Sequence, residues 1–365
     1  MISRRRVPKS LAIAAGVVLA TVGLAGCASA SGAEQAGAGE GLSIVASTSV
    51  YGQIAGEIAG GAASVTSIID SSVNDPHSYE ASARDRLAVS RADVVIVNGG
   101  GYDAFMESLL ADAESPERTV LDVSEISGLL PGDQHEHADD EHAGEQATDD
   151  HAVDDHASDE HADDVTEDAH ADEDAHADDD AHEHDHIEGF NEHLWYNFDT
   201  MRHLAEAIEA ELSERSPEHA AQFAANADAF DAELGALEAR TDSIADGFAG
   251  TPVAITEPVP LYLLDAAGLH NETPAAFSEA IEEGDDVAPR ALQEMLGIIE
   301  TPVALLAYNA QTASPQTELV REAALAASVP VVDFAETLPE RTSYISWMDD
   351  NVSALEAALE AAPAA

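Results

Sequence analysis

Four short segments of this 365-residue chain carry side chains able to hold a divalent cation. The first is Asn74-Asp75-Pro76-His77-Ser78-Tyr79-Glu80, where Pro76 fixes the backbone just ahead of the imidazole. The second is Asn191-Glu192-His193-Leu194-Trp195, and the third is Ile255-Thr256-Glu257-Pro258. The fourth, Val331-Val332-Asp333-Phe334-Ala335-Glu336, offers two carboxylates. Glu336 is favoured over Asp333, because it lies further past the strand expected over Val329 to Val332. Two imidazoles with two carboxylates make a borderline, oxygen-rich donor set. Imidazole suits zinc, while carboxylate also suits manganese. The one cysteine, Cys27, leaves no cysteine zinc site and no intramolecular disulfide. A site without thiolates releases its ion more readily than a structural zinc site, as a carrier requires.

These segments need a scaffold, and the hydrophobic pattern supplies one. Apolar runs predict strands at Leu42–Ala46, Val65–Ile69, Asp93–Val97 and from Thr119. Helices are expected between them at Val50–Ala59, Arg84–Ser90 and Tyr102–Ala111. Strands alternating with helices imply a parallel sheet covered on both faces. After Phe190 an amphipathic helix is expected over Phe198–Leu212. A longer one follows from Glu218 to about Phe248, with Phe223, Ala227, Phe230, Leu234 and Leu237 on one stripe. At 1.5 Å per residue this second helix would span about 45 Å, which suits a rigid strut. A second alternating region follows, with strands at Val253–Thr256, Val303–Tyr308 and Val329–Val332. Its helices are expected at Leu261–Ala267, Pro289–Ile299, Thr317–Ala327 and Tyr344–Ala361. The expected fold is α/β: two lobes, each a mostly parallel sheet flanked by helices, joined by one long helix. Ligands of open α/β sheets bind beyond the carboxyl ends of the strands, so the metal belongs in the inter-lobe cleft.

The remaining composition points outside the cell. The basic residues Arg4, Arg5, Arg6 and Lys9 precede an apolar run, Leu11 to Leu24, of signal-peptide length. The run ends in Leu24-Ala25-Gly26-Cys27, which looks like a bacterial lipobox, with Cys27 as the lipid-modified first residue of the mature protein. The formal net charge of −58 repels nucleic acid and anionic headgroups and attracts cations. From Asp133 to Glu188 there are 25 acidic residues, 11 histidines and no Lys or Arg. That stretch cannot bury a core and is expected to be a disordered insertion. Its imidazoles, mostly neutral near pH 7, form many weak metal sites on one tether and favour zinc over manganese. The chain thus divides into a signal peptide (1–27), a tether (28–41), an N-terminal lobe (42–214) interrupted by 133–188, a linking helix (215–249) and a C-terminal lobe (250–365).

From Leu42 to its C-terminus the sequence resembles the zinc/manganese-type solute-binding proteins of bacterial ABC importers. The matching motifs are Asp75-Pro76-His77-Ser78-Tyr79-Glu80 and Asn191-Glu192-His193-Leu194-Trp195, the second preceded by an acidic, histidine-rich loop. The resemblance implies His77 and His193 as ligands from the first lobe and Glu257 and Glu336 from the second. One cation would then bridge two lobes whose motion a rigid helix limits. Many zinc members carry histidine at the third position, and manganese-type members carry glutamate, as at Glu257. His270, after Gly268-Leu269, is a substitute imidazole ranked behind Glu257. The implied function is capture of Zn²⁺, with Mn²⁺ as the alternative, by a monomeric lipoprotein that serves a permease and its ATPase. Three other functions compete: a secreted metalloenzyme, an adhesin, and a zinc sponge acting through the insertion alone. The His-Glu-x-x-His spacing occurs at His182–His186 alone, inside the insertion and not on an expected helix, and no nucleophile-and-base constellation supports the enzyme.

Overall fold

The computed structural model describes residues 41–71, 76–113, 115–132, 187 and 189–362. The segments expected to be the signal peptide with Cys27 and the tether up to residue 40, and nearly all of the insertion, lie outside them. The first lobe runs β1 (Leu42–Thr48), α1 (Ser49–Ala59), β2 (Ala63–Ile69), α2 (Ala83–Arg91), β3 (Val94–Val97), α3 (Ala104–Asp112), β4 (Thr119–Asp122) and α4 (Val123–Ser127). A 3₁₀ turn at Leu194–Tyr196 leads into α5 (Phe198–Arg215) and the long α6 (Ala220–Phe248). The second lobe follows as β5 (Pro252–Ile255), α7 (Leu261–Ala266), β6 (His270–Asn271), α8 (Ala275–Glu282), α9 (Pro289–Ile299), β7 (Leu306–Asn309), α10 (Pro315–Ala327), β8 (Val331–Phe334) and α11 (Tyr344–Ala361).

Both sheets are four-stranded and parallel, with orders β2-β1-β3-β4 and β6-β5-β7-β8. Their central strands are apolar on both faces: all four residues of β3, Val-Val-Ile-Val, are buried. A strand covered by helices on both sides has no solvent face to alternate with. In each lobe the carboxyl ends of the strands feed the segments singled out above. β2 leads to His77, β5 to Glu257 and β8 to Glu336.

From Gly41 onward the chain forms one compact unit. A single apolar cluster runs through both lobes. It joins Ile44 of β1 and Ile54 of α1 to Phe230 and Leu234 of α6, Val253 and Ile255 of β5, and Tyr344 and Trp347 of α11. The last helix contributes to this by packing against α6 and α1. Close-packed interiors resist shear, so a core shared across the lobes opposes a wide hinge motion. None of the described helices is long and apolar enough to cross a membrane.

β3 ends in a turn where Gly99, Gly100 and Gly101 all take positive φ, 72°, 64° and 97°. A Cβ on Gly99 would stand 2.2 Å from Asp122 Oδ1. That oxygen caps α4 by accepting from the backbone N–H groups of Ser124 and Glu125. Gly99→Ala is therefore expected to cost about 1–3 kcal/mol, from left-handed strain and the displaced cap. The check is a lowered urea midpoint with an unchanged slope.

Candidate metal site

His77 lies in the turn between β2 and α2, half-buried, behind a buried Pro76. Asn74 and Asp75 of its motif are outside the described residues. The turn is anchored downstream. Ser82 and Asp85 form a capping box at the start of α2, and the Tyr79 hydroxyl donates to Asp85 Oδ2 at 3.0 Å. The His77 ring meets Tyr102 edge-on at 4.9 Å between centroids. Tyr102 in turn lies 5.9 Å from the His193 ring.

His193 is buried, and its orientation is set by its neighbour. Its Nδ1 lies 2.8 Å from Asn191 Oδ1. An amide oxygen can accept but not donate, so Nδ1 carries a proton, and Nε2 is the ring nitrogen whose lone pair, in the neutral imidazole, an ion would take. The His193 backbone N–H donates to the same oxygen at 3.2 Å. On the first-lobe side, Asn98 Nδ2 donates to the Glu192 carbonyl at 3.1 Å. Asn98 is held by the Tyr51 hydroxyl and by Asp103, whose Oδ2 accepts from its backbone N–H at 2.6 Å. Burial pushes the Asp103 carboxyl up to about 6, although its bonds from Ser47, Asn98 and Gly99 pull the other way. On the second-lobe side, Asn191 Nδ2 donates to the Pro258 carbonyl at 3.1 Å, and the Tyr262 hydroxyl donates to the Asn191 carbonyl at 2.7 Å. Tyr196 and Tyr344 extend the seam: the first donates to the Ala335 carbonyl at 2.9 Å, the second to the Trp195 carbonyl at 2.7 Å. The His193 segment is thus clasped by both lobes.

A third group meets the two imidazoles. Glu282 Oε1, at the end of α8, lies 3.3 Å from His193 Nε2 and 3.9 Å from His77 Nε2. The ligand atoms of His77, His193 and Glu282 all fall within 4.8 Å of one another, the one such group among the described residues. Glu192 adds a carboxylate oxygen 3.5 Å from His77 Nε2. Beside these residues opens a cleft of about 480 Å³, lined by Asn191, Pro258, Thr273 and Glu279 among others.

Glu257 and Glu336 sit where β5 and β8 end, 2% and 5% exposed, and are joined through one amide. Asn309 Nδ2, at the end of β7, donates to Glu257 Oε2 at 2.5 Å and to Glu336 Oε1 at 2.6 Å. The structure pairs these two carboxylates with each other but leaves them outside the three-residue group. Glu336 remains near it electrostatically. Burial raises the Tyr102 phenol, and the charge of Glu336 is the next largest contribution to that rise. Asp333 is exposed on β8, which removes it from the cleft. His270 is 68% exposed, beside Glu272 at 3.7 Å, and is a surface residue.

A family model described as ZnuA, zinc-uptake complex component A, periplasmic, matches residues 44–358. The chain belongs to this family. The manganese-binding lipoprotein MntA of Halalkalibacterium halodurans is 29% identical over 217 residues, 59% of this chain and 53% of that protein. The match therefore spans about half the length of that relative. Among solved structures, FpvC from Pseudomonas aeruginosa in complex with Mn²⁺ aligns with a TM-score of 0.62 at 19% identity, covering 88% of this chain and 99% of that one. The periplasmic zinc binding protein TroA from Treponema pallidum aligns with a TM-score of 0.60 at 17% identity, again covering 88% and 99%. These likenesses bear out the two-lobed α/β fold. Within the ZnuA family frame, three participants were not singled out from sequence: Asn191 as the group orienting His193, Asn309 as the link between two glutamates, and Glu282. Asn191 carried a signal, being two residues ahead of a candidate ligand. Glu282 sits in a helix that hydrophobic periodicity did not reveal.

Proposed function

We propose that this protein captures a divalent transition-metal ion outside the cell membrane and delivers it to the permease and ATPase of an ABC importer. Zn²⁺ is the favoured cargo and Mn²⁺ the alternative. The observation that carries the reading is the convergence of two imidazoles from separate segments, His77 and His193, with a second-lobe carboxylate at the seam between the lobes. Two nitrogen donors suit zinc, and the surrounding glutamates keep manganese within reach. Membership of a zinc-uptake family supports zinc, whereas the matching lipoprotein is named for manganese. The 11 histidines between Asp133 and Glu188 tip the balance toward zinc, as many weak sites on one chain that collect the ion. Anchoring through a lipid on Cys27 completes the reading.

The test is direct competition on the purified mature chain. Zn²⁺ at equal concentration is expected to displace bound Mn²⁺, as the order of divalent affinities requires, and to leave one tight ion per chain. Failure to bind either ion tightly would overturn the proposal. Retention of Mn²⁺ against equimolar Zn²⁺ would replace zinc by manganese.

A further inference from the structure

We infer that Tyr344, in the first turn of α11, is a positioning residue that latches the second lobe to the His193 segment and so sets how readily a bound ion leaves. The inference rests on the metal-capture reading but concerns no ligand atom. The backbone is the first reason. The opening turn of a helix leaves four N–H groups without partners inside the helix. At α11 the Ser343 hydroxyl accepts from the Ser346 N–H at 3.2 Å. The Tyr344 N–H donates instead to Gln53 Oε1 of α1, at 2.8 Å. Gln53 Nε2 donates to Glu57 Oε2 at 2.9 Å. A carboxylate only accepts, so the amide nitrogen of Gln53 faces Glu57 and its oxygen is left to α11. A first-lobe side chain thus caps a helix that the second-lobe strand β8 feeds.

The side chain is the second reason. Tyr344 is fully buried, and its hydroxyl donates to the Trp195 carbonyl at 2.7 Å. Burial raises this phenol well above its ordinary value, so it stays a donor at neutral pH. Trp195 stands two residues beyond His193, and the two rings meet edge-on at 5.2 Å between centroids. Further along α11, Arg240 of α6 donates to Asp349, Ser353 and Glu356 at 2.5, 3.0 and 2.7 Å. The body of α11 is therefore fastened to the linking helix, while its first turn reaches α1 and the His193 segment. The shared core opposes a wide hinge, so an ion leaves through a small shift of that segment. The Tyr344 hydroxyl resists such a shift, because moving the Trp195 carbonyl away would leave it buried without this donor.

Stopped-flow release of Zn²⁺ into excess chelator, from the full mature chain loaded with less than one ion, reads the latch. Tyr344→Phe keeps the ring and removes the hydroxyl. It is expected to speed ion loss about 10-fold, the low end for partners outside the ligand shell. The Co²⁺ absorption spectrum should stay unchanged, because no ligand is altered. Gln53→Met keeps the side-chain length and removes the acceptor. It should act in the same direction, and it carries the test should Tyr344→Phe fail to fold. Combined, the two changes should do less than the product of their separate effects, since either one already opens the latch. Nitroxides at Ser90→Cys on α2 and Glu322→Cys on α10, with Cys27→Ser removing the natural thiol, report the inter-lobe distance. Tyr344→Phe should broaden that distribution in the metal-free state. An unchanged release rate or an unchanged distribution in both variants overturns the inference, even where the urea midpoint falls, because Tyr344 would then be structural only. A changed Co²⁺ spectrum overturns it as well, since the ligands themselves would have moved. If the natural chain holds no tight Zn²⁺, the capture reading fails, and the distance distribution alone decides whether Tyr344 joins the lobes.

Discussion

A chain in which both His77 and His193 are alanine is expected to lose its tight zinc ion while keeping its fold. The two imidazoles supply every nitrogen in the three-residue group, and they enter it from segments 116 residues apart in sequence. Second-layer partners of a metal site are worth 10–100-fold in affinity, so removal of two direct ligands should exceed that range. What remains in the variant is carboxylate, a weaker donor for zinc than imidazole plus carboxylate. Titration calorimetry separates the outcomes. The natural chain should show one tight event followed by several weak ones, the latter from the histidines between Asp133 and Glu188. The double variant should show the weak events alone. If the tight event survives, the histidine-rich segment is the primary binder and the cleft is not. Stability should change little in the metal-free state: neither ring lies in the central strands, and Tyr102 and Trp195 still fill the space beside them.

Long elements of this fold were legible because their patterns are unambiguous. The buried run of β3 and the apolar stripe of α6 each admit one reading, and α11 begins and ends where its periodicity says. The ends of several strands were not legible. The run from Val303 to Tyr308 is apolar throughout, yet β7 begins at Leu306. Apolarity marks burial, and the loop before β7 is buried as well. The short elements were missed altogether: α4, the 3₁₀ turn, β6 and α8. Five or eight residues hold too few repeats to show a period. For α8 the consequence reaches the site, because a glutamate in an unrecognised helix among many acidic residues carries no mark of function. His77 and His193 were readable because histidine is scarce outside the insertion, with 5 of 16 there. The second-lobe carboxylates could not be ranked, since choosing among Glu257, Glu282 and Glu336 needs the distances that folding creates.

Asn309→Leu is expected to destabilise the metal-free protein by about 3–5 kcal/mol, the range for breaking a buried charged contact by removing one partner. Asn309 is itself buried, and its amide nitrogen serves both glutamates at once. The two carboxylate oxygens it binds therefore lie within about 5 Å of each other, by the sum of those two bonds. At an effective dielectric of 20, two unit charges 4 Å apart repel by about 4 kcal/mol, a cost the amide offsets by placing a hydrogen on each. Leucine fills similar space and offers nothing to either oxygen. The Gln311 backbone N–H would also lose its acceptor, Asn309 Oδ1, whereas the bond from the backbone N–H of residue 309 to Thr256 Oγ1 is kept. The cause can be separated from simple loss of packing by a second substitution. In Asn309→Leu combined with Glu336→Gln, the new amide is a neutral donor beside Glu257, so repulsion disappears and one hydrogen bond can re-form. The double variant should recover at least half of the lost stability, read as the urea midpoint at neutral pH with chelator present. Recovery of none of it would mean that Asn309 acts through shape, and that the two glutamates do not repel each other across it.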